Sequence, residues 1–369
     1  MKRLLEIDIF RGLLLLVMVV NHTPNPLRAL TTQPLGFVSA AEAFVFVSAC
    51  LCGLVFSYKY KNSGLAELKR VIRRRLRQIY IAHLLTLLFC LAIVGQWLGH
   101  LTPFYNMIHP YLQQPTPAAF SALFLLYQPP LLDILPMYLV FMALTPWAIR
   151  AADRVGWPVV LTVSLLLWLA AQFGLKEYLV NVLTGSWLVV DPGAFNLFSW
   201  QLLWVLGVML GQYLQRHPGR SRFTQLSKPF WMVLIGIALF FFGWRWIFAS
   251  LDLGSHAWWL DKWQLGPLRL LNFFALLILA LWQAPVLCRM LSWLKPLAVL
   301  GRHMLPVFCL HICFSLLAAG FIELYALSGS WCYLILSLHL ALIFYVSFWL
   351  EKHSSSSFTQ NSATRPLRG

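Results

Sequence analysis

Ten apolar stretches, each about as long as a bilayer is thick, constrain this chain more than any other feature. A helix needs about 20 consecutive apolar residues to cross the hydrocarbon core of a membrane. Charged residues make up only 11% of the chain, against about 25% in an average soluble domain. We therefore predict an all-α polytopic membrane protein with about ten transmembrane helices. The predicted spans are 7–24, 36–57, 79–99, 133–149, 157–174, 198–215, 230–250, 267–287, 297–319 and 331–350.

The basic residues predict the orientation of these spans. Lys2 and Arg3 precede the first span, and most of the 28 Lys and Arg lie in every second loop after it. Positive residues concentrate in the cytoplasmic loops of membrane proteins. We therefore predict that both termini are cytoplasmic. This arrangement also explains the net charge of +16 as contact with the lipid bilayer, so no nucleic acid is expected as a partner.

The sequence predicts a single domain followed by a short C-terminal tail. We expect a single transmembrane domain over residues 1–353, followed by a disordered cytoplasmic tail over residues 354–369, because this tail is polar and rich in Ser. Cys309 and Cys313 share a helix face, but no second ligand pair completes a zinc site. No metal is therefore expected, and no phosphate-binding loop or dinucleotide-binding motif is evident.

The first predicted helix carries Asp8, Arg11, Asn21 and His22 inside an otherwise apolar stretch. Ionisable groups are costly in a bilayer, so each one suggests a function. Arg11 and His22 are eleven residues apart, about three helical turns, and therefore share a face. Asp8 lies three residues before Arg11 and can pair with it. His22 precedes Thr23-Pro24, where the helix should end. A neutral imidazole there can take a proton from a hydroxyl nucleophile, or it can simply cap the helix at the interface.

Three further residues are candidates for the same site. Glu42 is the only carboxylate of the second span and should lie at a depth similar to His22, where it can fix the histidine tautomer. The alternative is a structural hydrogen bond to another helix. Asp133 begins the fourth span and can bind a polar substrate or cap that helix. His311 is either a packed polar contact or a site residue, and His339 is interpreted as structural.

Basic residues near the predicted inner boundary are candidates for binding an anionic donor. Arg11 can hold a phosphate in a bidentate manner, or it can merely neutralise Asp8. Arg73 and Arg74 belong to a basic cytoplasmic segment that can attract phosphates, although contact with anionic lipid explains them equally well. Arg302 opens the ninth span and is either a donor ligand or a topology signal.

These residues lie in segments that resemble the OpgC family. Its members are membrane proteins associated with succinylation of osmoregulated periplasmic glucans, within the wider set of transmembrane acyltransferases. The resemblance runs through most of the chain. Its strongest segments are Asp8-Ile9-Phe10-Arg11-Gly12 with Asn21-His22, Gly36-Phe37 with Ala40-Ala41-Glu42-Ala43-Phe44-Val45-Phe46, and Leu300-Gly301-Arg302-His303.

The resemblance implies an enzyme of the bacterial inner membrane. It implies succinyl-CoA or acetyl-CoA as a cytoplasmic co-substrate, with no tightly bound cofactor, and a hydroxyl of a periplasmic oligosaccharide or polysaccharide as the acceptor. The resemblance also implies His22 as the base. From their own positions and chemistry, Asn21, Asp133 and His311 are expected to bind the substrate. Family members often have Asp where this chain has Asn21. Because Asn21 supplies no charge, Glu42 becomes the expected carboxylate partner of His22.

Other functions remain open at this point. The chain could acetylate another surface polysaccharide, or it could carry an anion or a lipid-linked sugar along the same intramembrane charges. It could also be a non-catalytic subunit of a glycan-synthesis complex. A homodimer is left open as its assembly.

Overall fold

Helices make up all the regular structure that the computed structural model describes, which covers residues 5–184, 188–217, 227–247, 258–291 and 293–363. The α-helices are α1 (Leu5–His22), α2 (Arg28–Thr31), α3 (Ala40–Leu88), α4 (Gly95–Leu98), α5 (Thr102–Gln113), α6 (Pro115–Leu123), α7 (Ile134–Val155), α8 (Trp157–Gln172), α9 (Leu175–Leu183), α10 (Leu197–Arg216), α11 (Lys228–Trp246), α12 (Pro267–Trp282), α13 (Ala284–Leu291), α14 (Lys295–Arg302), α15 (Met304–Leu324) and α16 (Ser330–Ala363). A π-helical stretch, Phe89–Val94, joins α3 to α4.

The all-α polytopic membrane class is confirmed. Six helices in the described parts of the chain are long and apolar enough to cross a membrane. The helices α8 and α9, which are bent by 71° at the break between them, add a seventh if they count as one span. The six are Ala40–Leu98, Ile134–Val155, Leu197–Arg216, Lys228–Trp246, Met304–Leu324 and Ser330–His353.

The difference from ten predicted spans has local causes. The segment Ala40–Leu98 is one of the six, yet it contains two predicted spans. Helix α1 carries three charged side chains in 18 residues, and α12 has only 16 residues. The predicted span 157–174 corresponds to α8, which has only 16 residues. The predicted span 297–319 is counted among the six, but it begins later, at Met304, because the chain is broken between α14 and α15 at His303. The last residues of the predicted span 230–250 lie outside the described residues, and the orientation of the termini stays a prediction.

The chain forms two compact units. One combines Met1–Thr31 with Pro285–Gly369, and we call it the discontinuous unit. The other, Thr32–Ala284, is the central unit. The prediction of a single domain over residues 1–353 is not tested by this division into units and stays a prediction. Helix α16 runs to Ala363, and residues 364–369 lie outside the described residues. The disordered tail over 354–369 stays a prediction.

Two glycines let α1 and α14 pack backbone to backbone in the discontinuous unit. A Cβ on Gly12 would collide with the carbonyl oxygen of Leu297, and a Cβ on Gly301 would collide with that of Asp8. Neither obstacle is a flexible side chain, so the helices would have to separate if either glycine gained a methyl group. This contact joins two segments that the sequence places about 290 residues apart, and it holds α1 in place.

Close packing of α3 against α10 organises the central unit. A Cβ on Gly53 would collide with the Val208 carbonyl oxygen, and one on Gly211 would collide with that of Cys50. Ser39 caps the beginning of α3, and its side chain accepts a hydrogen bond from the Ala41 amide. The helix is interrupted at Gly64, whose φ of 74° is outside the helical range. Glycine adopts that conformation without the strain that a Cβ would cause.

Candidate active site

The end of α1 presents His22. The Thr23 amide still donates to the Val19 carbonyl at 3.1 Å, but Pro24 has no amide proton and cannot continue the ladder. The helix ends at His22, as the Thr23-Pro24 pair predicts. His22 is partly exposed, whereas Thr23 is fully buried.

Three histidine rings from three helices form a row in the discontinuous unit. Nδ1 of His22 lies 2.9 Å from Nε2 of His311 on α15. Nδ1 of His311 lies 3.3 Å from Nε2 of His339 on α16. The row ends at the Thr23 hydroxyl, 2.8 Å from Nδ1 of His339. We call these four residues the histidine row.

The planes of neighbouring rings in the histidine row are close to parallel, and the rings meet through their nitrogen-bearing edges. The ring centres of His22 and His311 are 5.1 Å apart with an angle of 11° between planes, and those of His311 and His339 are 5.1 Å apart at 25°. His311 and His339 are fully buried. Each bond joins one nitrogen to one neighbouring nitrogen, so the rings act in series and do not converge on a common point. A series of imidazoles can order, accept and pass protons.

Asn21 ties α1 to the short helix α2. The Thr31 hydroxyl donates to Oδ1 of Asn21 at 2.6 Å, and Nδ2 of Asn21 donates to the Thr31 carbonyl at 3.4 Å. The predicted role of Asn21 in substrate binding stays a prediction. Its contact with Thr31 fixes the residues that follow His22 and so helps to place the ring.

The opposite end of α1 holds the predicted ion pair. Arg11 Nη1 lies 3.9 Å from Asp8 Oδ1, and both side chains are largely buried. At about 1.5 Å per residue along the helix, this pair lies roughly 16 Å from His22. The structure thus places Asp8 and Arg11 away from the histidine row, and their role in donor binding stays a prediction.

Arg302 and His303 share one carboxylate. Arg302 contacts Glu351 through Nη2 at 2.8 Å and through Nε at 3.2 Å, and His303 Nε2 lies 2.7 Å from the same group. This fork geometry is the strong form of an arginine–carboxylate pair. It connects α14 to α16 directly. Donor binding by Arg302 stays a prediction, and a donor phosphate would compete with Glu351.

Glu42 lies in the central unit and has two strong partners there. Its carboxylate accepts hydrogen bonds from the Ser39 hydroxyl and from the Ser39 amide, the latter at 3.0 Å. It also forms a salt bridge with Arg269 on α12, and both side chains are buried. Arg269 Nη1 donates in addition to the Leu260 carbonyl at 3.2 Å. These contacts match the structural alternative for Glu42, and its action on His22 stays a prediction.

Asp133 bonds across the central unit instead of capping its own helix. Its side chain makes no cap hydrogen bond to α7. Oδ2 accepts from the Ala194 amide at 3.0 Å, and burial raises the pKa of Asp133 to about 6. The Ala194 hydrogen bond and the nearby Lys262 and Lys176 oppose that rise without cancelling it. Substrate binding by Asp133 stays a prediction.

Comparison with known families gives one extended match. The sequence profile described as OpgC protein matches residues 3–355, nearly the whole chain. The chain belongs to the OpgC family. No curated protein and no solved structure matches it. Membership of the OpgC family supports acyltransferase activity in general, and the apolar helices make the chain a multi-pass membrane protein.

The OpgC segments that the sequence singled out occupy particular places in the fold. Asp8–Gly12 and Leu300–His303 meet at the close contact of α1 and α14. Both glycines of these segments, Gly12 and Gly301, therefore have a packing role. The His22 end of α1 instead meets α15 and α16 through the histidine row.

A basic depression lies in the central unit of this OpgC-family chain. It has a volume of about 480 Å³, and its lining includes Lys69, Trp147, Arg150 and Arg154. Arg150 and Arg154 also line a second depression of about 470 Å³. The sequence places Lys69 and the two arginines in two segments predicted on the same side of the membrane. Arg73 and Arg74 are exposed on α3 and do not line it.

Sequence reasoning missed two parts of this picture. The spacing Ser39-x-x-Glu42 is a capping-box signature, and both of its reciprocal hydrogen bonds are present at the start of α3. That local signal could have predicted the structural contact of Glu42. His339 and Thr23 carried no comparable signal, because their partners come from helices distant in sequence.

Proposed function

We propose that this OpgC-family chain is an O-acyltransferase of the bacterial inner membrane. It moves an acyl group, succinyl in the first instance, from cytoplasmic acyl-CoA to a hydroxyl of a periplasmic glucan. Family membership supports the reaction class. The observation that carries the proposal is the hydrogen bond between partly exposed His22 and fully buried His311. It gives a candidate base on a partly exposed residue that a buried partner holds in place.

His22 serves as the general base in this reaction. Nε2 removes the proton of the glucan hydroxyl while that oxygen attacks the thioester carbonyl. The new C–O bond forms, the C–S bond breaks, and coenzyme A leaves as a thiolate. The proton held on Nε2 then passes to the thiolate sulfur. The products are the acylated glucan and the free thiol, and His22 returns to its neutral form.

The basic depression supplies the cations that the donor requires. Acyl-CoA carries several phosphate charges, and arginine binds phosphate with well-directed, charge-assisted hydrogen bonds. Arg150 and Arg154 line the depression together with Trp147, an aromatic surface suited to stacking of the adenine ring. We assign the phosphate-bearing end of the donor to this depression. Arg216 is less suitable because it is already paired with Asp153.

Reconstitution tests this function. Purified protein in liposomes receives succinyl-CoA or acetyl-CoA with a linear or cyclic β-glucan, and mass spectrometry follows the glucan. We expect a mass gain of one succinyl group per modified hydroxyl with succinyl-CoA. A gain only with acetyl-CoA would change the donor to acetyl. Folded protein that acylates no glucan with either donor would overturn the proposal, and uptake of labelled solute without a covalent product would indicate a carrier.

A further inference from the structure

The histidine row contains two residues, His339 and Thr23, that the acyl-transfer reaction does not itself require. They are fully buried and belong to a single series of hydrogen bonds that ends on His22. We propose that His311, His339 and Thr23 are positioning residues that fix the tautomer of His22, with the proton on Nδ1 and the lone pair on Nε2. The catalytic use of that lone pair rests on the function proposed above.

The series can be ordered in only two directions. A neutral imidazole carries one N–H and one bare nitrogen. Each ring that donates from Nδ1 must therefore accept at Nε2, or the reverse. If His22 donates from Nδ1, His311 accepts at Nε2 and donates from its own Nδ1, and His339 continues in the same sense to Thr23. The opposite direction would place the proton of His22 on Nε2, and a protonated Nε2 cannot act as a base.

Ser315 selects between the two directions. Its hydroxyl lies 3.3 Å from Nδ1 of His311, and Nε2 of His339 lies 3.3 Å from the same Nδ1. Two groups thus approach one ring nitrogen. An N–H can be shared between two acceptors, whereas a bare ring nitrogen has a single lone pair and is poorly suited to two donors. The shared contact therefore favours a proton on Nδ1 of His311, and this leaves Nε2 of His311 to accept from His22.

Burial keeps the ordered row neutral until the reaction begins. A charge on His311 or His339 would lie in a segment predicted to cross the membrane, where ionised groups are costly. When His22 takes the hydroxyl proton, its Nδ1–H bond to His311 becomes a charge-assisted hydrogen bond and strengthens. The row thus favours the protonated base at the moment when it forms. No proton has to leave the row, because Nε2 returns its proton to the thiolate.

This role differs measurably from substrate binding by His311, which the sequence predicts. A substrate contact acts on KM for the glucan or the donor. A positioning residue acts on the fraction of His22 in the correct tautomer, and it therefore acts on kcat. Variants of similar length separate the two roles, because Gln offers an oxygen acceptor near the place of Nε2 and Met does not.

The kinetic test compares His311→Met with His311→Gln in liposomes, with folding checked by size-exclusion chromatography. General bases contribute about 10²- to 10⁴-fold, so we expect His311→Met to lower kcat by roughly 30-fold or more. Both KM values should stay within about twofold of wild type, and His311→Gln should keep at least a third of kcat. An equal loss in both variants, or a change confined to KM, would overturn the proposal.

The next position in the row gives a second, weaker pair. His339→Met removes the acceptor for Nδ1 of His311, and His339→Gln restores one. We expect about a fivefold fall in kcat for Met, consistent with the modest net value of one hydrogen bond, and little change for Gln. If His339→Met keeps full kcat, the ordering does not extend beyond His311 and the proposed row is wrong.

A spectroscopic test needs no activity at all. Histidines labelled with ¹⁵N report which ring nitrogen carries the proton, and the difference from His22→Gln protein isolates the His22 signals. We expect Nδ1 of His22 to be protonated in wild type, and the proton to lie predominantly on Nε2 in His311→Met. A proton on Nε2 in wild type would overturn the proposal. Correct tautomer without acyl transfer to any glucan would instead reject the proposed function and leave the ordering intact.

Discussion

The two units bury polar groups in opposite ways. The discontinuous unit buries a row of imidazoles, each bonded to the next. The central unit buries a carboxylate, Glu42, against the guanidinium of Arg269. A row of neutral rings can take up a proton at one end and adjust along its length. A buried ion pair holds fixed charges, and loss of one partner leaves the other uncompensated. We therefore expect proton chemistry at the histidine row of the first unit and a structural role for the Glu42–Arg269 pair of the second.

The largest expected effect comes from His22→Ala, which removes from the discontinuous unit the ring that we propose as the base. Loss of the base should lower kcat for acyl transfer by about 10²- to 10⁴-fold, while the protein stays folded. Mass spectrometry of the glucan measures the rate, and size-exclusion chromatography with intrinsic fluorescence checks the fold. Near-normal transfer by the folded variant would remove His22 from the mechanism.

Glu42→Gln should act on stability first. Arg269 would keep its charge in a buried position with its carboxylate neutralised, and breaking such a pair costs about 3–5 kcal/mol. Denaturant titration of the protein in detergent measures this loss. Glu42→Gln combined with Arg269→Met removes both charges and should recover most of the stability.

The double variant also tests the predicted action of Glu42 on His22. Normal kcat in the folded double variant would confine Glu42 to its structural contacts. A fall of about 100-fold or more, in the range of a general-base contribution, would restore the catalytic role that the sequence predicts.

Asp133 is a second buried carboxylate of the central unit and differs from Glu42 in its partner. Glu42 pairs with a guanidinium, whereas Asp133 accepts a hydrogen bond from a backbone amide. Its pKa of about 6 lies above the ordinary value of 3.8, so the folded protein binds this proton more tightly than the unfolded chain does. The resulting destabilisation is absent below about pH 4, grows as the pH rises through 6, and is complete at neutral pH. It should reach about 2–3 kcal/mol.

The measurement for Asp133 compares unfolding free energies in detergent at pH 5 and pH 7.5. Wild type should lose more stability than Asp133→Asn over this interval, because Asn keeps an acceptor for the Ala194 amide but does not titrate. Parallel pH dependence in the two proteins would mean that Asp133 is already ionised at pH 5.

The smallest expected effect separates donor binding from catalysis. Arg150→Gln combined with Arg154→Gln should raise KM for succinyl-CoA about tenfold, which corresponds to about 1.4 kcal/mol, with kcat preserved. Arg73→Gln combined with Arg74→Gln is the matched control, since it removes equal charge outside the depression. A larger KM effect in the control would return donor binding to the residues that the sequence predicts.

The same assay distinguishes the phosphates of succinyl-CoA from those of lipid headgroups as the ligand of the depression. Liposomes without anionic lipid should leave the difference between the two double variants unchanged if the depression holds the donor. A difference that disappears in neutral liposomes would identify lipid headgroups as the ligand.

The sequence predicted those features that depend on local chemistry. Composition predicted the all-α membrane class, the Thr23-Pro24 pair predicted the end of α1, and the three-residue spacing predicted the contact of Asp8 with Arg11. The histidine row could not be found this way, because His22 and His311 are 289 residues apart. Arg269 lies 227 residues from Glu42, so a single sequence gave no reason to pair them. Helical periodicity likewise did not show the breaks at Gly64 and His303.

The discontinuous unit has a consequence for how the protein is made. Ribosomes add about 5–20 residues per second, so His22 exists for roughly 15–60 s before His311 has been synthesised. Throughout this interval α1 carries Asp8 and Arg11 without α14 to pack against Gly12. We therefore expect the first helix to depend on the insertion machinery or on temporary partners until residues 285 onward have been synthesised. Translation that stops earlier would yield a chain that contains His22 but lacks the partners that complete the histidine row.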